Sequence, residues 1–184
     1  MNRKLILAIE WGCLILSFGL MVIVILYNAN PLLFEPGRDG GFFLYAGKEL
    51  LHGKHLYVDI WDSKGPIIFL LNVIGMWIGG ETRWGIWILE FLFFFCSSLL
   101  SFTTMKRKWG TFSAFLGTSL WLYGALLLIG KGNTIEEYSL LFDWVAIFIF
   151  SKSINSPTNK IYPITFGSMI GLAFFLRANL IGTI

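Results

Sequence analysis

The residues able to do chemistry crowd into one stretch. Between Arg38 and Pro66 (RDGGFFLYAGKELLHGKHLYVDIWDSKGP) lie four carboxylates (Asp39, Glu49, Asp59, Asp62), four cations (Arg38, Lys48, Lys54, Lys64) and both histidines. A carboxylate in a water-restricted pocket can act as a general base, its pKa lifted by burial. Arginine or lysine beside it suits an anionic leaving group such as a phosphate. Glu136-Glu137 and Arg177 are the further charges that the topology derived below brings to the same side. No Ser/His/Asp order, H-E-x-x-H, Walker loop or G-x-G-x-x-G occurs. His52 and His55 stand three apart with no further ligand at zinc spacing, so they are not read as a metal pair.

The rest of the chain must position these groups, and it is almost entirely apolar. Of 184 residues, 56% are hydrophobic and 17% aromatic, with a mean hydropathy of +0.72. Charged residues make up 14%, against about 25% in a soluble domain. The expected fold is all-α and integral to a membrane. A net charge of +3, with no basic stripe interleaved with aromatics, argues against nucleic acid as a partner. Cys13 and Cys96 fall inside apolar runs and read as small hydrophobes.

About five spans are expected, near 5–27, 84–104, 112–129, 139–152 and 161–176, with an outer loop over 28–83. The first follows a basic head, but its apolar run exceeds the roughly 7–15 residues of a signal peptide and no A-x-A-like cleavage site follows. It therefore reads as a retained anchor. In the loop, Phe43, Ala46, Gly47, Leu50 and Leu51 share one face at helical spacing, with Gly53 as the stop. That pattern predicts a short helix over Gly40 to His52, lying in the interface plane. His55 to Pro66 reads as irregular loop. Pro66 to Ile78 is apolar but only 13 residues long, where a span needs about 20. It reads as a second interfacial or re-entrant helix.

Charge placement supports this arrangement. Were Pro66 to Ile78 a span, Lys106-Arg107-Lys108 would face outward, against the positive-inside tendency. With it dipping in, Arg3, Lys4, Lys106, Arg107, Lys108, Lys152 and Lys160 share the cytoplasmic side. Glu35, Asp39, Glu49, Asp59, Asp62, Glu81, Glu136 and Glu137 then share the outer side.

The spacing Tyr57-x-Asp59-x-Trp61-Asp62-x-Lys64-Gly65-Pro66, with Arg38-Asp39-Gly40 about twenty residues earlier, resembles the first outer loop of polyprenyl-phosphate-sugar-dependent membrane glycosyltransferases. These form the GT-C superfamily, and the likeness is to its branch of protein O-mannosyltransferases and aminoarabinose transferases. Glu136-Glu137-Tyr138 resembles the acidic turn at the family's next outer hinge. Leu176-Arg177-Ala178-Asn179 resembles its L-R-P-N stretch, with Ala178 in place of the proline. The resemblance implies a bacterial-type cytoplasmic membrane, a cytoplasmic N-terminus and an active outer face. The donor would be a polyprenyl-phosphate sugar and the acceptor an envelope glycan, lipid or protein. Asp39 would be the catalytic base in an inverting transfer, with Lys64 and Arg177 on the donor phosphate. Asp59, Asp62, Glu136 and Glu137 would order the loop, bind acceptor or hold a divalent cation. Family members have more spans, so the chain reads as the N-terminal portion of such an enzyme, a truncated product or one part of a split enzyme, and inactive alone if the rest of the donor groove is missing.

Plainer readings compete at each position. Asp39 before Gly40 suits a helix N-cap. Asp62 and Lys64 suit a surface pair, Glu136-Glu137 a solvated hinge, and Arg177 a side chain snorkelling to the interface. Trp61, Trp77, Trp84 and Trp87 suit interfacial anchors. A non-catalytic membrane assembly subunit or an inactive truncated fragment is the alternative function. A small transporter is another, and it would use Glu90 and Asp143, the ionisable residues inside expected spans.

Overall fold

The computed structural model describes residues 3–154 and 158–178. Among them the chain is all helix, with no strand. Helix α1 (Arg3–Ile25) is drawn from the first apolar run and tightens into a 3-10 turn, Leu26–Ala29. Pro31 then holds Asn30 extended, at ψ 122°, because the proline ring clashes with a helical predecessor. Helix α2 (Arg38–Leu51) buries Phe43, Leu44, Ala46 and Gly47, close to the predicted face. Its start differs from expectation in one respect. Gly37, extended after Pro36, is the N-cap, and Asp39 lies in the first turn with no capping bond. There its negative charge still complements the helix dipole. Gly53, at φ +90°, ends the helix as expected. Helix α3 (Pro66–Ile78) starts on its proline, whose missing N–H costs nothing at a helix start.

Helix α4 (Arg83–Leu128) is an antiparallel pair of arms. Gly110, at φ 80° and ψ 172°, breaks the helical path, a conformation that glycine adopts without a Cβ penalty. Ser101 Oγ meets Thr118 Oγ1 at 3.0 Å, and Trp121 Nε1 donates to Ser101 Oγ at 2.7 Å, so the arms pack along each other. Helix α5 (Ile135–Ser153) opens with a capping box between Thr134 and Glu137. Helix α6 (Ile161–Leu176) packs against it.

Among the described residues, two segments are long and apolar enough to cross a membrane: Ala8–Ala29 and Arg83–Leu128. Helices α3 and α6 are apolar but, at 13 and 16 residues, shorter. Helix α5 carries Glu136, Glu137, Asp143 and Lys152 within its 19 residues.

One core lies between α1 and the arms of α4, around Phe18, Phe94, Phe102 and Leu122. A second joins α2 and α3 to α4, α5 and α6, around Phe43, Phe69, Tyr138 and Leu176. The first arm of α4 is roughly 40 Å long at 1.5 Å per residue, and its ends differ in charge. Near Arg83 sit α2, α3 and the α4–α5 hinge. At the far end, Lys106 lies over the rings of Trp11 and Phe102, at 5.4 and 5.5 Å. Arg107 and Lys152 flank the Phe148 ring there, at 5.2 and 4.6 Å.

Candidate functional site

The loop after α2 is folded by its own acids. Asp59 Oδ2 accepts from the backbone N–H of His55 at 2.8 Å and lies 3.3 Å from its Nδ1. This backbone bond, with the nearby Lys54 and His55, holds the Asp59 carboxyl below the usual range. Tyr57 OH donates to the carbonyl of Lys64 at 2.7 Å. Asp62 Oδ1 accepts from the Lys64 N–H at 2.8 Å, and its Oδ2 lies 3.4 Å from Nζ. Lys64 is thus fixed at both backbone and side chain, with its ammonium 5.2 Å from the Phe43 ring centroid.

The loop then closes against the far end of the described chain. Gly65 N–H donates to the carbonyl of Leu176 at 3.3 Å. A Cβ on Gly65 would stand 1.8 Å from the carbonyl oxygen of Phe175, so any side chain would force the two segments apart. Between them lies a cavity of about 680 Å³, lined by Asp39, Lys64, Arg177 and the Phe174 and Phe175 of α6, among others. Three residues named from the sequence, 25 and 113 positions apart in order, share this cavity. Asp39 and Arg177 are exposed and Lys64 is half-buried. Arg177 Nη1 is 3.1 Å from Glu136 Oε1, which ties the cavity to the first turn of α5. Asn179 lies outside the described residues.

The other sequence candidates divide. Asp62 reaches the cavity through Lys64, and Glu136 through Arg177. Asp59 serves its own turn. The two histidines face separate partners, since His52 and Lys48 both pair with Glu81, at 3.2 and 3.1 Å. Among the described residues no three His, Cys, Asp or Glu side chains gather as metal ligands. Cys13 and Cys96 are unpaired.

Glu137 does not project as a solvated hinge residue. It is 2% exposed, as are Glu90 and Asn133. Its Oε2 accepts from the Thr134 N–H at 3.3 Å, and its Oε1 is buried with no hydrogen-bond partner among the described residues. Glu90 also turns inward: its Oε1 accepts from the Asn133 backbone N–H.

Asn133 is the centre of this buried layer, and the sequence reading passed over it. Its Nδ2 donates to the Gly40 carbonyl at 3.0 Å and to Asn72 Oδ1 at 2.9 Å. Its Oδ1 accepts from Tyr138 OH at 3.1 Å. Asn72 was visible as the lone amide in the apolar run PIIFLLNVIGMWI. Arg83 closes the rim, donating to the carbonyls of Phe34 and Lys131.

Comparison with family models, with curated proteins and with solved structures finds no match.

Proposed function

We propose that the chain is a membrane glycosyltransferase of the GT-C type. It moves a sugar from a polyprenyl-phosphate donor to an envelope acceptor on the outer face of a bacterial-type cytoplasmic membrane. The observation that carries this reading is the convergence of Asp39, Lys64 and Arg177 on one cavity. An anion and two cations around one space match the needs of the reaction. Asp39 takes the proton of an acceptor hydroxyl as the acceptor oxygen bonds to the anomeric carbon. The bond from that carbon to the phosphate oxygen breaks with inversion, and the polyprenyl phosphate leaves with its negative charge facing Lys64 and Arg177. Phe174 and Phe175, both exposed on α6, offer apolar surface to the prenyl chain beside those cations.

In this reading α1, the two arms of α4, α5 and α6 form five spans, and α2 and α3 lie in the outer interface. The short α6 crosses with the help of its flanks, and α5 shields its acids at the outer end. The segregation of Lys106, Arg107 and Lys152 to the far end supports a cytoplasmic orientation for that end.

The test is transfer from a panel of polyprenyl-phosphate sugars to envelope acceptors, in proteoliposomes holding the wild-type chain or Asp39→Asn. The reading expects transfer that the substitution abolishes. Transfer that persists in Asp39→Asn removes Asp39 from the chemistry. A well-inserted wild type that transfers none of the sugars leaves the chain as a non-catalytic subunit.

A further inference from the structure

We propose that Asn133 is a positioning residue that holds Asp39 at the cavity. The inference rests on the glycosyltransferase reading for its consequence, but its geometry stands independently. Asp39 is exposed in the first turn of α2 and takes part in none of the described side-chain hydrogen bonds. The next residue, Gly40, is buried. Its carbonyl accepts from Asn133 Nδ2 at 3.0 Å, across 93 positions of sequence. The contact is tight as well as polar. A Cβ on Gly40 would stand 2.9 Å from the Gly132 carbonyl oxygen and 3.3 Å from Asn133 Cβ. The first turn of α2 is therefore seated on the α4–α5 hinge, and its rotation about the helix axis is set there.

Asn133 is itself fixed from every side. Its backbone N–H is held by Glu90 of α4, its side chain by Asn72 of α3 and Tyr138 of α5. One amide thus references the turn bearing Asp39 to three helices at once. Its backbone, at φ +55°, lies in the left-handed region, which asparagine tolerates better than most residues with a side chain. Glycine adopts the same φ freely.

This last point supplies the variant. Asn133→Gly keeps the backbone N–H to Glu90, relieves the positive φ and deletes only the side chain. Asn133→Asp keeps the acceptor for Tyr138 and removes the donor to Gly40. Both are compared with wild type and Asp39→Asn in proteoliposomes. The expected result for Asn133→Gly is a kcat lower by about 10- to 100-fold, the scale of a misplaced catalytic group. The donor KM should stay within about twofold, because the cations that meet the phosphate are untouched. A second readout does not need activity. Spin labels on cysteines at positions 38 and 63, in a background lacking Cys13 and Cys96, should show a broadened distance distribution in both Asn133 variants. An unchanged distribution, or an unchanged kcat in folded Asn133→Gly, overturns the proposal. A kcat and KM that worsen together also overturn it, pointing to general loosening. If wild type proves inactive or Asp39→Asn active, the glycosyltransferase reading fails instead, and the label distances alone decide whether Asn133 fixes this turn.

Discussion

In the cavity, Asp39 and Arg177 are exposed and Lys64 is half-buried. In the layer behind it, Asn133, Glu90 and Glu137 are each 2% exposed. The two regions share a boundary at the first turn of α2, yet they use polar groups in opposite ways. Exposed charges interact through water, can reorient toward a ligand and add little to stability. Buried polar groups must be matched by partners, and leaving one unmatched costs about 1–3 kcal/mol. The cavity's charges are therefore free to reorient, while the layer behind it fixes where the cavity's walls stand.

Substitutions should separate the two. If the proposed transfer reaction holds, the largest effect on it should come from Asp39→Asn, a loss of about a hundredfold or more. Its melting temperature in detergent should stay close to wild type. Glu90→Ala should do the reverse, lowering stability by about 1–3 kcal/mol through the orphaned Asn133 N–H, as read from thermal unfolding. Arg177→Ala should raise the donor KM by about tenfold, the worth of one charge-assisted hydrogen bond, with melting again unchanged. If Arg177→Ala instead lowered kcat at constant KM, the cation would act in the transition state alone.

The smallest effect is expected from Asp62→Ala, about 1 kcal/mol or less for a partly exposed pair. Its signature would be a modest rise in donor KM as Lys64 loses its tether.

Much of the cavity was legible in the sequence because its residues are charged in an apolar chain. Asp39, Lys64 and Arg177 stand out wherever they fall. Local signals also worked for α3, bounded by Pro66 and Gly79, and for the end of α2 at Gly53. The start of α2 was misjudged because Asp39 is a good cap by type, while the Pro36-Gly37 pair had already set the entry. Glu90 was recognisable as an ionisable residue in an apolar run, but not its direction. A helical wheel does not say whether a side chain one or two turns from the surface turns outward or in. Asn133 was illegible for a different reason. Its partners at Gly40, Asn72 and Glu90 come from 43 to 93 positions away, and an asparagine between a glycine and a threonine looks like any turn. Hinge position and buried role are settled by tertiary packing, which local pattern does not encode.

The reversal at Gly110 has a practical use. A Cβ there would meet nothing within 4 Å, and the turn follows directly on Lys106-Arg107-Lys108. Such an open joint between two self-adhering arms is a natural insertion point for a short epitope. An antibody against that epitope, applied to sealed vesicles of known sidedness, would see only one compartment. The molecule thus carries, in a single glycine, the place from which its own orientation can be reported.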